Sequence, residues 1–160
     1  MGVRAGLKDN YNVKKRETIM LSSHLAYDIG LNYMLIAPLL CGMKTVINEE
    51  FYKDNKSYWG IVNKYSVNFL IGHANKINSL ATDSNKEFPG KDVQLDSLKS
   101  VTFYNGSLEN ATEIEMINKH ITGAKFHNSC YLSSLGTFVL GGANSKISAG
   151  GMESKPLNNI

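Results

Sequence analysis

The chain has 160 residues and a mass of 17.7 kDa, which is enough for one domain with a sizeable core. Hydrophobic residues make up 42% and charged residues 19%, a balance typical of globular proteins and not of disordered ones. The net charge is only +3, and the densest basic cluster, Lys14-Lys15-Arg16, suits a solvated face. We therefore expect no nucleic-acid partner.

The sequence shows no sign of a disulfide-rich secreted protein, a membrane-spanning protein or a metalloprotein. Cys41 and Cys130 form no disulfide framework, which favours a reducing compartment and a cytoplasmic location. The N-terminus carries no apolar signal region. The longest apolar run, Tyr33–Cys41, is too short to span a bilayer and contains Pro38. None of the four histidines has a metal-ligand spacing, so we expect no metal site.

The first half of the chain alternates short apolar runs with polar loops. Residues 1–17 are polar and weakly patterned, and we treat them as a segment separate from a domain of residues 18–160. The first predicted helix is Leu31–Leu40. Asp28 is a candidate N-cap for it, and Gly42 ends it. The helix is apolar nearly all round, which favours burial on more than one side. The predicted elements are strand Thr18–Ser22, helix Leu31–Leu40, strand Lys44–Ile47, helix Asn55–Ser66 and strand Val67–Ile71.

The second half continues the alternation. A short helix is predicted at Lys76–Thr82, followed by a hydrophilic surface excursion at Asp83–Asp96. Isoleucines then recur at helical spacing between residues 114 and 121, and Gly123 ends that helix. The predicted strands around it are Ser100–Tyr104, Lys125–His127 and Gly136–Leu140.

This alternation predicts an α/β fold, with a mostly parallel sheet and helices on its faces. In such a sheet, the loops that follow successive parallel strands meet at the carboxyl edge. Asn105–Ser107 and Asn128–Ser134 are two such loops, and we expect them to face a common ligand. His24 and His73 follow two other strands and are candidates for the same edge.

The residue types in these loops suit a planar, phosphorylated ligand. Gly106 would let such a ligand approach the backbone, because no side chain stands in the way. Tyr131 could stack on it, and Ser133 and Ser134 offer hydroxyls to a phosphate. The alternative is that Gly106 makes a turn, Tyr131 packs on the surface and the serines cap chain ends. Residue types alone leave both interpretations open.

From about Thr18 to the end, the order of several motifs resembles the central part of the large N-terminal domain of the adenylate-forming superfamily. That superfamily contains acyl-CoA synthetases, luciferases and peptide-synthetase adenylation domains. The matching segments are Ile36-Ala-Pro-Leu-Leu-Cys-Gly42, Tyr65-Ser-Val-Asn-Phe-Leu-Ile-Gly72, Leu95-Asp-Ser-Leu98 with Val101-Thr-Phe-Tyr-Asn-Gly-Ser107, His127-Asn-Ser-Cys-Tyr-Leu-Ser-Ser134 and Gly151-Met-Glu-Ser-Lys-Pro-Leu157.

The resemblance implies roles for particular residues. Asn105, Gly106 and Ser107 match the loop that forms one wall of the family's adenine pocket. In the second loop, Cys130 aligns with the stacking aromatic, Tyr131 with a glycine, Ser133 with a phosphate-binding threonine and Ser134 with a magnesium-binding glutamate. A shift of one residue would let Tyr131 serve as the aromatic. His24 and His73 correspond to positions beside the pocket for the acyl group and its carboxylate.

The departures from the family pattern weaken the implied chemistry. The phosphate loop, the ribose-binding aspartate and the adenylation lysine have no counterpart in these residues. Ser134 replaces a glutamate, and a neutral hydroxyl is a poor ligand for a hard divalent cation. The family uses ATP or AMP with Mg²⁺, and takes a carboxylic acid and, in some members, CoA. We expect Mg²⁺ binding to be doubtful here and assign no catalytic residue.

The resemblance therefore implies a fragment or divergent truncated paralogue of a carboxylic acid–CoA or acid–AMP ligase, as in fatty acid metabolism, inactive alone. An AMP-binding-like interaction or assembly module is the alternative, and exposed apolar surface could drive self-association. A third interpretation is an unrelated small α/β binding domain.

Overall fold

Seven strands form one sheet in the computed structural model, which describes residues 7–8, 11–48, 55–76, 93–105, 111–132, 137–144 and 155–156. The strands are β1 (Thr18–Ser22), β2 (Lys44–Val46), β3 (Phe69–His73), β4 (Ser100–Tyr104), β5 (Lys125–Leu132), β6 (Thr137–Asn144) and β7 (Lys155–Pro156). Helix α1 joins the α-helical Asp28–Gly30, the π-helical Leu31–Ile36 and the α-helical Ala37–Cys41, and it is followed by α2 (Asn55–Lys64) and α3 (Ala111–His120).

The sheet is parallel over its first five positions. Its strand order is β2-β1-β3-β4-β5-β6-β7, and every pair among the first five strands is parallel. β6 pairs antiparallel with β5, and β7 pairs antiparallel with β6. The predicted α/β fold with a mostly parallel sheet is confirmed. Of the helices in the described ranges, none is long and apolar enough to cross a bilayer.

Several predicted boundaries are correct and others are not. β1 and β4 match their predicted ranges. β3 begins at Phe69 and not at Val67, because the Val67 amide donates to the Val62 carbonyl and closes the end of α2. The prediction that Asn128 begins a loop was wrong, since β5 continues to Leu132 along its antiparallel partner β6. The expected helix at Lys76–Thr82 lies largely outside the described residues, as does most of Asp83–Asp96.

One face of the sheet packs against α2 and α3. Tyr58, Trp59 and Val62 of α2 and Ile117 of α3 are buried together with Phe103 and Phe126 of the sheet. The rings of Phe103 and Phe126 stack with centroids 6.2 Å apart. Trp59 and Val62 of α2 and Ile117 of α3 are therefore the members of the predicted apolar stripes that the structure shows to be buried.

The opposite face packs against α1 and the N-terminal segment. Tyr33 and Met34 of α1 are buried against the strand residues on this side, and Leu7 joins them. The Tyr11 ring lies 4.8 Å from the His127 ring between centroids. Burial, helped by the nearby positive charge of Lys125, lowers the pKa of His127 to about 4. Leu7 and Tyr11 of the weakly patterned N-terminal segment therefore contribute to the core.

Helix α1 is buried against the sheet on one side and leaves apolar residues exposed on its other side, as expected for the exposed apolar surface that the sequence predicts. The outward residues Leu31, Leu35, Ile36, Leu39 and Leu40 are exposed, and Leu39 reaches 70%. Asp28 lies in the first turn and not at the N-cap, which is Tyr27. Pro38 lies in the first positions of the last α-helical segment, and Gly42 ends the helix as predicted, with a φ of +67°.

The start of α1 is held by a close backbone approach at Gly30. A Cβ atom built on Gly30 would lie 2.2 Å from the His24 carbonyl oxygen and 2.9 Å from its carbonyl carbon. Both atoms belong to the backbone, which cannot rotate away as a side chain could. Gly30 is therefore required for the loop after β1 to pass against α1.

We predict that Gly30→Ala lowers the free energy of unfolding by about 2 kcal/mol or more, because the new methyl group forces α1 away from this loop. Urea unfolding followed by circular dichroism measures the change. Gly60→Ala in α2 is the matched control, since a Cβ there meets nothing within 4 Å. That control should be neutral or stabilising by up to about 1 kcal/mol. Equal unfolding midpoints for the two variants would contradict the prediction.

Candidate functional site

The parallel strands bring three predicted site residues to one edge of the sheet. His73 is the last residue of β3, Asn105 follows β4, and His24 lies two residues after β1. Ser22 pairs in register with Gly72, and His73 pairs with Tyr104. His24 is exposed and His73 is half-buried. We call this region the carboxyl edge.

His73 is held by two contacts at the carboxyl edge. Its ring meets the Tyr104 ring edge to face, with centroids 5.4 Å apart. Its Nδ1 accepts a hydrogen bond from the Asn75 amide at 3.3 Å. A neutral imidazole that accepts at Nδ1 carries its proton on Nε2. The contact therefore presents Nε2–H as the donor that a ligand would meet.

Asn105 joins the ends of β4 and β5. Its backbone has a φ of 51°, in the left-handed region that asparagine tolerates better than most residues. Its amide donates to the Ser129 carbonyl at 3.3 Å, and its Oδ1 accepts from the Tyr131 amide at 3.0 Å. Asn105 thus turns the chain toward Gly106 and Ser107, both of which lie outside the described residues.

Tyr131 lies under α1. It is 5% exposed, its ring packs edge to face on Tyr33 at 6.1 Å, and its hydroxyl accepts from the Asn32 side chain at 3.2 Å. Burial raises the pKa of Tyr131 to about 12. Stacking of a base on Tyr131 remains a prediction, and it requires the ring to leave this environment.

Of the other site residues predicted in the second loop, Cys130 lies in β5, whereas Ser133 and Ser134 lie outside the described residues. Cys130 is half-buried in β5, and the register with β6 shifts between Cys130 and Tyr131. Such a bulge re-aims the side chains that follow it. The alignment of Cys130 with the family's aromatic and of Tyr131 with its glycine remains a prediction. Ser133 and Ser134 lie outside the described residues, and their phosphate and magnesium roles remain predictions.

Sequence reasoning missed a buried polar group behind this edge. Asp28 Oδ2 is buried and makes no hydrogen bond within the described part of the chain. Burial raises the pKa of Tyr104, the Ser23 hydrogen bond opposes that shift, and the charge of Asp28 adds to it. Asp28 was interpreted as a helix cap, and Tyr104 was only the last residue of a buried strand. No local pattern signals that the two lie close together.

The described residues of this edge do not provide a donor set that fits a metal ion. Across the described ranges, no group of three or more histidine, cysteine, aspartate or glutamate side chains lies close enough to hold a metal. Mg²⁺ prefers several oxygen ligands, including carboxylates. No step involving Mg²⁺ is therefore assigned to these residues.

Comparison with known proteins gives two sequence relatives. The chain is 33% identical to the propionate–CoA ligase of Salmonella typhimurium over 82 residues, which is 50% of the chain and 12% of that protein. It is 29% identical to the Escherichia coli propionate–CoA ligase over 90 residues, or 55% of the chain and 14% of that protein. No family model matches the chain.

Solved structures extend the likeness over most of the chain. A fatty acid AMP ligase from Legionella pneumophila matches 89% of the chain with a TM-score of 0.74 and 12% identity. A benzoate CoA ligase from Burkholderia xenovorans matches 92% with a TM-score of 0.70 and 13% identity. The chain covers 26% and 29% of these two structures, respectively. At this identity the structures establish the fold, and with the sequence relatives they confirm the resemblance to the adenylate-forming superfamily.

We predict that Tyr131→Ala lowers the free energy of unfolding by about 3 kcal/mol, because removing a buried ring leaves a cavity under α1. Tyr131→Phe keeps the ring, loses only the hydrogen bond from Asn32, and should cost about 1 kcal/mol. Urea unfolding of both variants measures these changes. Tyr27→Ala is the control, since Tyr27 is 64% exposed. A Tyr131→Ala protein as stable as this control would show that Tyr131 lies in an open loop.

Proposed function

We propose that the chain is a fragment, or a truncated and divergent paralogue, of an ATP-dependent carboxylic acid–CoA or acid–AMP ligase, with its ligase-like part in residues 18–160. The observation that supports this most is the 33% identity to a propionate–CoA ligase, of which the chain spans 12%. The proposed parent reaction activates a carboxylic acid as an acyl-adenylate. Acting alone, the chain would not complete that reaction.

The carboxyl edge would bind the nucleotide at one end and the carboxylic acid at the other. Asn105, Gly106 and Ser107 would line the nucleotide, together with Cys130, Tyr131, Ser133 and Ser134 of the second segment. The Asn105 side chain already holds the Tyr131 amide, so the two segments are fixed relative to each other. A nucleotide would therefore meet a preformed junction between β4 and β5.

The acid would lie nearer the first strands. His24 and His73 follow β1 and β3, which are adjacent in the sheet. The Nε2–H of His73 would donate a hydrogen bond to the carboxylate, since Nδ1 is occupied by the Asn75 amide. This contact orients the carboxylate and needs no proton transfer.

Catalysis would require groups that these residues do not provide. The attack of a carboxylate on the α-phosphate of ATP depends on stabilising the developing phosphate charge. Ser134 offers a neutral hydroxyl where the family has a carboxylate. We therefore expect the edge to hold the adenine and sugar better than the triphosphate, with ATP and Mg²⁺ serving the parent enzyme.

We predict that AMP binds at least as tightly as ATP, with little dependence on Mg²⁺. Gly106→Val should abolish binding, because the branched side chain would occupy the space that adenine needs beside the backbone. Isothermal titration calorimetry with both nucleotides, with and without Mg²⁺, measures this. The matched control is Gly123→Val, because a Cβ at Gly123 meets nothing within 4 Å and the residue precedes β5 at the opposite edge. Equal affinities for the two variants would refute the nucleotide site.

The second candidate is a non-catalytic assembly module, and the outer face of α1 favours it. Leu31, Leu35 and Leu39 are exposed and spaced by four residues, and Ile36 and Leu40 are exposed as well. We call these five residues the apolar ridge. Exposed apolar side chains of this kind can pack between those of another helix. A contiguous apolar surface of this kind is typical of an interaction site. The module would associate with a second copy through α1.

For this candidate we predict concentration-dependent dimers that the double substitution Leu35→Lys and Leu39→Lys converts to monomers, because two lysines break the apolar ridge. Analytical ultracentrifugation measures the change. The control is Tyr65→Lys, which replaces an exposed aromatic residue just after α2. A wild-type protein that stays monomeric at high concentration would contradict this role.

A further inference from the structure

A cavity of about 300 Å³ opens at the sheet edge opposite to the candidate site. The cavity is lined by the first residues of β3, β4 and β5, which are Phe69, Ser100 and Lys125. Because these strands are parallel, their starts share one edge, which lies roughly 13 Å from their ends at the rise of a five-residue strand. We call this cavity the amino-edge pocket.

The charges of the amino-edge pocket are unbalanced. Its lining contains Lys14, Lys99 and Lys125 against one carboxylate, Glu17, which leaves a formal charge of +2. Glu17 is engaged by its neighbours, since Oε1 pairs with Lys99 Nζ at 2.5 Å and Oε2 accepts from the Lys14 amide at 2.6 Å. These contacts lower the pKa of Glu17 despite its partial burial. The charge of Glu17 acts on both Lys99 and Lys14, and because one carboxylate faces three lysines, the lining keeps its positive excess.

A buried donor in the same lining points to a ligand. Ser100 is only 4% exposed, and within the described ranges its Oγ makes no hydrogen bond. An unsatisfied hydroxyl in a protein interior costs free energy, whereas a bound oxygen atom would satisfy it. Ser100 pairs in register with Lys125 across β4 and β5. The two residues therefore offer a neutral donor and a charged donor side by side.

Part of the lining is uncharged. His127 lines the pocket, and its lowered pKa keeps the imidazole uncharged at neutral pH. Tyr11 also lines the pocket and packs on His127, and its hydroxyl lies beside Thr102 and Ser129. The positive charge of the pocket therefore comes from the lysines alone.

A second cavity at this edge lacks the buried donor. It has a volume of about 720 Å³ and is also basic, with Arg16, Lys44 and Lys64 in its lining. In the described part of the chain, none of the residues that line it has a buried polar side-chain atom without a partner. Basic residues on an open surface are commonly just solvated. The amino-edge pocket is therefore the stronger candidate.

We propose that the amino-edge pocket binds a phosphate group, with Lys14 and Lys125 supplying charge and the Ser100 hydroxyl donating a hydrogen bond. The formal charge of +2 matches a phosphate dianion, and charge-assisted hydrogen bonds to such an anion are the strong ones. The volume exceeds that of inorganic phosphate, so a small phosphate ester also fits. This site is separate from the carboxyl edge and does not depend on the proposed ligase relationship.

The test is calorimetric titration of the full chain with inorganic phosphate and, in a second arm, glycerol 3-phosphate, at constant ionic strength. Saturable binding to one site is expected, and the tighter arm identifies the free ion or the ester as the ligand. Lys125→Gln should weaken binding about tenfold, and Ser100→Ala about fivefold. Ring-proton resonances of His127 should shift during the titration, which places the anion in this pocket.

Lys119→Gln is the matched control, because it removes the same charge from an exposed position at the end of α3. It should leave phosphate affinity unchanged within about twofold. Gly106→Val should also leave it unchanged, which separates this site from the nucleotide edge. The proposal is overturned if neither arm gives saturable heat beyond a chloride control, or if Lys119→Gln weakens binding as much as Lys125→Gln.

Discussion

Parallel strands in this sheet are buried on both faces, and this constraint organises the rest of the molecule. Every residue of β1 and β4 is buried, and alternate side chains enter two separate hydrophobic clusters. A parallel sheet of this kind needs helices on both sides, because neither face tolerates water. Helices α2 and α3 cover one face, while α1 and the N-terminal segment cover the other. The same parallel pairing places the ends of β1 to β5 on one edge and their starts on the opposite edge.

The candidate nucleotide edge is coupled to α1 through Tyr131. The Tyr131 ring contributes to the core beneath α1, while its backbone amide binds Asn105 at the carboxyl edge. A ligand that displaced the ring would disturb the contacts of Tyr33 and Asn32 as well. Binding at this edge and the packing of α1 are therefore linked, and a partner seated on the outer face of α1 would influence the same residues.

The two edges of the sheet differ in their chemistry. The carboxyl edge combines a buried carboxylate oxygen of Asp28 with two tyrosines of raised pKa, Tyr104 and Tyr131. An additional anion close to Asp28 would be repelled, which suits the neutral adenine and sugar better than a triphosphate. The amino edge has a positive excess and a buried hydroxyl donor. The two proposals thus place a planar, weakly charged ligand at one edge of the sheet and a phosphate group at the other.

The sequence by itself determined the α/β class, β1, β4 and the edge that carries His24, His73 and Asn105, because short apolar runs and helical periods are local signals. Only the tertiary structure decided the length of β5, since Asn128 to Leu132 become strand through pairing with β6. The burial of Tyr131 likewise depends on α1, which lies about 100 residues earlier in the chain, as the Asn32 contact shows. The neighbouring sequence also gave no sign that Tyr11 packs against the core or that Asp28 lies beside Tyr104. In each case the deciding partner is distant in sequence, so no local pattern of residues could have indicated it.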